Sequence, residues 1–301
     1  MKAIIQTKNG PPEILELQEI AKPVPKDNEI LVKVHAATVT PGDVMLRKLH
    51  PLLHLPMRLF GLRVKKIPGH EFAGQIESVG KHVQRFKPGE RVFGTTTGLS
   101  VGANAEYVCV PEECKTAVLA KMPVNATYQE AAALPVGGMT ALFILDKANL
   151  QNGQAVLVYG ASGSVGSYGV QLAKYYGATV TGVCSTSNVD MVKSLGADEV
   201  IDYKNEDFTK NGQIYDVILD AAGKISPTIS KAALKPDGRY LTVRSMTRES
   251  NEHLLLLKEL VEKGDIKPVI DRFYPLERIA EAHQYVEGGH KKGNVVIVVT
   301  Q

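Results

Sequence analysis

The stretch VLVYGASGSVGSYGVQLAKYYGA, residues 156–178, decides the fold. It opens as an all-apolar strand, turns through Gly160-Ala161-Ser162-Gly163-Ser164-Val165-Gly166, and continues as a helix from Ser164 to Tyr176. Strand, glycine-rich turn and helix is the context a dinucleotide fingerprint requires. Ala161 takes the first glycine position. Gly163 lets the backbone approach a pyrophosphate, and Gly166 lets the helix pack tightly against the strand. The helix N-terminus offers N–H groups and a partial positive charge to phosphates. An ordinary strand–helix turn does not account for three glycines at this spacing.

Working outward, the chain alternates strands and helices on the C-terminal side. TVTGVC, EVIDY, IYDVILD and RYLTV read as strands, with helices over Val189–Leu195, around Ile225–Leu234 and over Leu254–Lys263. That alternation predicts a Rossmann-type, doubly wound parallel sheet with helices on both faces. Toward the N-terminus, Lys2–Gln6, Ile30–Val34, Gly74–Val79 and Arg91–Phe93 are short Val- and Ile-rich runs separated by turns such as KPGE. They predict a compact β-barrel. Thr127-Tyr128-Gln129-Glu130 resembles a helix cap, and helical periodicity runs from Ala131 to Leu150. The chain closes with Pro268–Ile270, an amphipathic helix over Leu276–Val286 and the strand VVIVV. The fold class is therefore α/β, with a barrel and a nucleotide-binding sheet.

Composition narrows the function. The 301 residues are 44% hydrophobic and 22% charged, enough for two cores. A net charge of +3 gives no electrostatic footprint for nucleic acid. Cys109, Cys114 and Cys184 form no C-x-x-C pair, which suits a reducing compartment. MKAIIQT lacks the three-part layout of a secretory signal, and the most membrane-like segment, Leu49–Lys66, is broken by Pro51 and Pro56 and too basic to span a bilayer. A cytoplasmic protein without integral membrane association is expected. None of the eleven tyrosines has a lysine four positions later, which excludes the Tyr-x-x-x-Lys machinery of short-chain dehydrogenases.

The strand after the fingerprint ends in Cys184-Ser185-Thr186-Ser187-Asn188, with no acid at its tip. A carboxylate there would hold ribose hydroxyls and repel a 2′-phosphate, whereas hydroxyls and amides donate to one. Ser185, Ser187 and Asn188 thus favour NADPH over NADH, and Tyr203 with Lys204 could cover the adenine.

PGHEFAGQIESVG, KPGERVFG, AAALPVGGMTA, ASGSVG, LGADEVIDY and GNVVIVV together resemble the medium-chain dehydrogenase/reductase superfamily, collinear over nearly the whole chain. Within it, the likeness is to the zinc-free quinone oxidoreductase branch. The resemblance implies a GroES-like catalytic domain (1–123 and 267–301), an NADP-binding domain (124–266) and a cofactor in the cleft between them. Thr140, Ala222 and Asn294 join the expected cofactor contacts.

Zinc-dependent members take catalytic ligands at the positions of Thr40, His70 and Val136. A threonine, one histidine and a valine do not make the three-ligand set that a catalytic zinc needs, and the four-cysteine structural lobe is absent from the sequence. Glu71 adds at most a second ligand. Without a Lewis acid, oxidising a simple alcohol is hard, whereas hydride addition to a quinone or an α,β-unsaturated carbonyl spreads its charge over a conjugated system. An NADPH-dependent, zinc-independent reductase of such acceptors is expected. Thr40 and His70 are the candidate catalytic residues, each with a plainer role, Thr40 as a buried threonine that satisfies local backbone and His70 as a hydrogen-bonded core histidine. Asp43 and Arg47, four apart, fit a helical ion pair. Many quinone reductases carry Asn at the position of Thr40 and Tyr at that of Met45. The segment after Val243 is shorter than the family's, which removes a further strand or trims a loop and puts the usual homodimer in doubt. An aldehyde or alcohol oxidoreductase and a non-catalytic NADPH sensor remain as alternatives.

Overall fold

The computed structural model describes residues 1–49 and 65–300. The segment Leu49–Lys66 noted above thus lies almost wholly outside the described residues. Among the described residues, no helix is long and apolar enough to cross a membrane. The chain forms two compact units: Met1–Val136 with Glu249–Glu262 and Ile270–Gln301, and Gly137–Arg248 with Lys263–Val269.

The first unit begins with β1 (Lys2–Gln6) and β2 (Leu15–Glu19), an antiparallel ribbon. β3 (Glu29–Val39), helix α1 (Pro41–Lys48), β4 (Glu71–Val79), β5 (Arg91–Thr95), β6 (Tyr107–Pro111), β7 (Leu119–Lys121) and α2 (Tyr128–Ala132) follow. β3 runs eleven residues because its Ile, Leu, Val and Ala positions are buried almost throughout. It pairs with β4 along most of its length, so that Ala37 faces Phe72 and Thr38 comes beside Glu71.

α3 (Pro135–Ala148) leads into the second unit, built from β8 (Ala155–Tyr159), α4 (Ser164–Tyr175), β9 (Thr179–Cys184), α5 (Val189–Ser194), β10 (Glu199–Asp202), β11 (Tyr215–Asp220), α6 (Pro227–Ser230) and β12 (Leu234–Thr242). Its sheet is parallel, in the order β10-β9-β8-β11-β12. This is the doubly wound arrangement that the alternation predicts. Val156, Val158, Val170, Val180 and Leu219 fill one of its cores.

α7 (Asn251–Lys263), β13 (Ile270–Pro275), α8 (Ile279–Glu287) and β14 (Asn294–Val298) complete the chain. β13 and β14 extend the first unit's sheet to β13-β14-β3-β4-β5-β7, with β6 on β3. Leu276, Ile279, Ala282 and Val286 form the apolar face of the closing helical segment and pack into the barrel core.

Several elements differ from their sequence-based expectation for local reasons. The helix expected over Ala131–Leu150 is two helices. Thr127 and Glu130 close a capping box on α2, and α3 restarts at Pro135, a residue suited to a first turn because it has no N–H to leave unpaired. The helix expected around Ile225–Leu234 shrinks to α6 and a 3-10 turn. Asp220 draws the Lys224 and Ile225 N–H groups into a loop instead. After Thr242 the chain reaches α7 with no further strand, so the parallel sheet has five strands among the described residues. The unit boundaries also differ from the expected 124–266. Residues 124–136 and 249–262 pack with the barrel. There Asn125 donates to the Val261 carbonyl at 3.0 Å, and Glu262 accepts from the Val124 N–H at 3.0 Å.

Candidate functional site

In the sheet unit, the turn after β8 is shaped by backbone geometry. Gly160 has φ +78°, the left-handed region where glycine is favoured, and a Cβ there would press on Ala222. The Gly160 and Ala161 N–H groups both donate to the Val183 carbonyl at 3.0 Å, which fastens the turn to β9. A Cβ on Gly166 would run into the Gly160 carbonyl, so this glycine is required for α4 to close on the turn.

Gly163 is different. Its φ is −79°, and a Cβ there would meet only the Gly160 oxygen, at 3.5 Å. Nothing in the protein's own packing demands a glycine at this position. The open side of the turn is a cradle that a side chain would fill, and a dinucleotide pyrophosphate fits it.

Ser162, Ser164 and Val165 are half-buried around this cradle, and Ala161 is fully buried beneath it. Ser185 is half-buried at the tip of β9, Ser187 is exposed, and Asn188 is buried. Asn188 Nδ2 donates to Ser162 Oγ at 3.0 Å and to Ser185 Oγ at 3.2 Å, joining the glycine-rich turn to the strand tip. Tyr203 is exposed, and its N–H donates to the Cys184 carbonyl at 3.1 Å. Ala222 lies in the loop after β11, and Thr140 on α3. Asn294 belongs to the other unit, buried at the start of β14.

Asp220 is a residue that the motif reading missed. It is fully buried at the end of β11 and accepts from the N–H groups of Ala222, Lys224 and Ile225 and from the Tyr240 hydroxyl. It therefore fixes the loop that carries Ala222. The available signal was a lone acid closing the apolar run VIL.

The barrel unit holds a second cluster. Thr40 caps α1, and Asp43, in the first turn of that helix, is 3% exposed. Asp43 Oδ2 accepts from the Thr40 N–H at 2.8 Å and from its hydroxyl at 2.6 Å. Asp43 Oδ1 lies 2.6 Å from His70 Nδ1. Burial pushes the Asp43 carboxyl up, but the His70 charge and hydrogen bond, with the Thr40 hydroxyl, outweigh it and hold the group well below its usual range. An ionised Asp43 accepts the Nδ1–H, so Nε2 is the ring nitrogen left for chemistry.

The expected Asp43–Arg47 pair does not form. Helical spacing brings both onto α1, yet Asp43 turns to His70, while the buried Arg47 bonds the Gly10 carbonyl at 2.8 Å and pairs with Glu287. The Thr40 hydroxyl donates to Asp43 Oδ2 at 2.6 Å and accepts from the Asp43 N–H at 3.2 Å.

Around this pair the barrel holds further ionisable groups. Glu71 accepts from the Val136 N–H at 2.6 Å and from the Thr38 hydroxyl. Burial pushes its carboxyl up to about 7. Glu249 accepts from the Thr95 and Thr97 hydroxyls, and burial raises it too. Lys65 Nζ donates to the Thr96 carbonyl at 2.8 Å and hydroxyl at 2.7 Å, with burial lowering it to about 8. No periodicity marks Lys65 or Glu249 as special; only the tertiary fold gathers them.

At the three positions where the resemblance places zinc ligands, the structure offers a hydroxyl committed to Asp43, one imidazole and the isopropyl group of Val136. The carboxylate of Glu71, next in sequence to His70, is turned to the Val136 N–H and the Thr38 hydroxyl. This donor set does not fit a catalytic zinc.

Comparison with known proteins agrees with this architecture. Residues 26–123 match the Alcohol dehydrogenase GroES-like domain family, and residues 195–297 match the Zinc-binding dehydrogenase family. The 2-methylene-furan-3-one reductase of Solanum lycopersicum is 34% identical over 99% of this chain and 79% of its own. The chloroplastic NADPH-dependent alkenal/one oxidoreductase of Arabidopsis thaliana is 31% identical over the same shares, 99% and 79%. Among solved structures, the quinone oxidoreductase from Coxiella burnetii superposes with a TM-score of 0.87 at 28% identity, covering 100% of this chain and 99% of that one. The chain belongs to the medium-chain dehydrogenase/reductase superfamily, in its quinone oxidoreductase branch.

Proposed function

We propose that this protein is a zinc-independent, NADPH-dependent oxidoreductase that transfers hydride to quinones or α,β-unsaturated carbonyls. The observation that carries it is the Asp43–His70 pair, 2.6 Å apart, standing where zinc enzymes place a metal site. A charged relay without a metal suits acceptors whose developing negative charge is delocalised. The relatives named for reduction of a furanone, alkenals or quinones support the same acceptor class.

The cofactor supplies the hydride. Ala161, Gly163, Ser164, Val165 and Gly166 would hold its pyrophosphate; Ser162, Ser185, Ser187, Asn188 and Tyr203 would form the adenosine end of the site. Thr140, Ala222 and Asn294 complete its contacts. Hydride addition leaves charge on the acceptor oxygen, and protonated His70 donates its Nε2 proton there. Asp43 is a positioning residue that keeps the ring's Nδ1–H fixed and stabilises the positive imidazole, and Thr40 fixes Asp43 in turn. A small-molecule acceptor is the partner, and a cytoplasmic location belongs to the same proposal, although the Arabidopsis relative is named as chloroplastic.

The test is NADPH oxidation with a benzoquinone, an enone and a saturated aldehyde, for the wild type and His70→Gln. Turnover of the first two, lost in His70→Gln while NADPH binding persists, supports the proposal. NADPH binding with no acceptor reduced favours the sensor alternative, and turnover of the aldehyde alone favours the alcohol/aldehyde alternative.

A further inference from the structure

We infer that Asn188 sets the preference for a 2′-phosphorylated nucleotide by forcing two serine hydroxyls to face outward as donors. This rests on the proposal that the sheet unit binds NADPH. Asn188 is 7% exposed, and both of its amide protons are in use, one on Ser162 Oγ at 3.0 Å and the other on Ser185 Oγ at 3.2 Å. An amide nitrogen only donates, so each serine oxygen accepts from it and keeps its own proton free. Asn188 Oδ1 is in turn approached by the Ser187 hydroxyl at 3.5 Å.

The two oriented hydroxyls come from segments far apart in sequence, the glycine-rich turn and the tip of β9, and both are half-buried rather than sealed. The acid at the end of the adjacent strand does not oppose them. Asp202 accepts from the Thr186 hydroxyl at 2.6 Å, the Asn205 amide at 2.7 Å and the Lys204 N–H at 3.1 Å. A strand tip made for NADH presents a carboxylate acceptor to ribose hydroxyls. Here the polarity is reversed: the tip presents donors, and phosphate oxygens only accept. Asn188 thus acts as a positioning residue, and the hydroxyls of Ser162 and Ser185 touch the phosphate.

Asn188→Asp changes polarity with almost no change in size. A carboxylate accepts from both serines, so their protons turn inward and their lone pairs face the ligand, beside a new negative charge. Asn188→Ala frees the hydroxyls to rotate without opposing the phosphate.

The experiment is calorimetric titration of the full chain with NADPH, NADH, 2′,5′-ADP and 5′-AMP, for the wild type, Asn188→Asp, Asn188→Ala and Ser162→Ala/Ser185→Ala. Each unliganded variant is checked by thermal midpoint. The expected result is a loss of about thirtyfold in affinity for NADPH and 2′,5′-ADP in Asn188→Asp, and of about fivefold in Asn188→Ala, with AMP and NADH changed less than about threefold. Equal losses for the phosphorylated and unphosphorylated ligands mean a merely structural residue and overturn the inference. Unchanged NADPH affinity in Asn188→Ala and the double serine variant overturns it even if Asn188→Asp fails to fold. A wild type that binds neither NADPH nor 2′,5′-ADP overturns the cofactor proposal and the inference with it.

Discussion

Asp43→Asn probes the barrel site at the point where its geometry is most exacting. The wild-type carboxylate takes three hydrogen bonds, two from Thr40 and one from His70, and is almost fully buried. An asparagine has one acceptor oxygen and one NH2 group. Keeping the oxygen on Thr40 turns the NH2 toward His70 Nδ1, which must then accept, leaving the proton on Nε2 of a neutral ring. The opposite orientation sets NH2 against the Thr40 N–H. Either way one charge-assisted bond is lost, which costs about 1.5–3 kcal/mol, partly offset because no charge remains buried. A net destabilisation of about 2 kcal/mol at pH 7 follows. Activity falls further, because a protonated His70 no longer has its counter-charge. Losing about 2.7 kcal/mol of that stabilisation corresponds to about a hundredfold in kcat.

The pH dependence has a definite sign. The folded Asp43 carboxyl lies below its ordinary 3.8, so its contribution is present above that value and lost as pH falls through the folded value. Wild type therefore weakens below about pH 4, and Asp43→Asn lacks that component. Steady-state enone reduction, NADPH titration and urea unfolding at pH 7 and pH 3 read these effects. A folded, NADPH-binding Asp43→Asn protein with kcat within about threefold of wild type would refute the reasoning.

Two glycines three residues apart should respond in opposite ways. Gly163→Ala is expected to change stability by less than about 1 kcal/mol, because its Cβ enters open space, while NADPH affinity drops at least about tenfold. Gly166→Ala should cost more than about 2 kcal/mol, because its Cβ strikes the Gly160 carbonyl. Denaturant unfolding beside NADPH titration separates them, and similar stabilities for the two variants would count against this account of the turn.

Glu71→Gln should stabilise the protein at pH 8. Burial raises the carboxyl from 4.5 to about 7, so the native state holds a proton that the unfolded chain releases, and stability declines as pH rises through that window. That difference between the folded and unfolded carboxyl corresponds to about 3 kcal/mol. Gln keeps an acceptor for Val136 and a donor for Thr38, so unfolding curves at pH 5 and pH 8 should show the decline removed; its persistence would contradict the assignment.

What the sequence reveals follows from how local each determinant is. The ASGSVG turn is legible because φ, close approach and helix packing act within seven residues. The capping box at Thr127 is legible for the same reason, whereas the one at Thr40 emerged only with the structure. The Asp43–His70 pair spans 27 residues and exists only because the β3–β4 register brings α1 beside His70, so spacing alone suggested Arg47 as the partner. Lys65 and Glu249 were invisible for that reason too: nothing in their immediate sequence says which hydrogen-bonding partners the fold will bring to them, and at Asp220 the one local sign is an acid closing the run VIL. The strand β13 was missed beyond Ile270 because the edge segment DRFY is largely exposed and lacks an apolar alternation. The boundaries of the two units escaped because Asn125 and Glu262, 137 residues apart, bind each other's segments.

The central claim is hydride transfer to a conjugated acceptor without a metal. The most direct test is NADPH oxidation at its absorbance with a naphthoquinone and an enone, before and after exhaustive chelation, with zinc content measured on the same preparation. The account predicts turnover that is unchanged by chelation and unaffected by added zinc. Activity that disappears with the chelator and returns with zinc would contradict it.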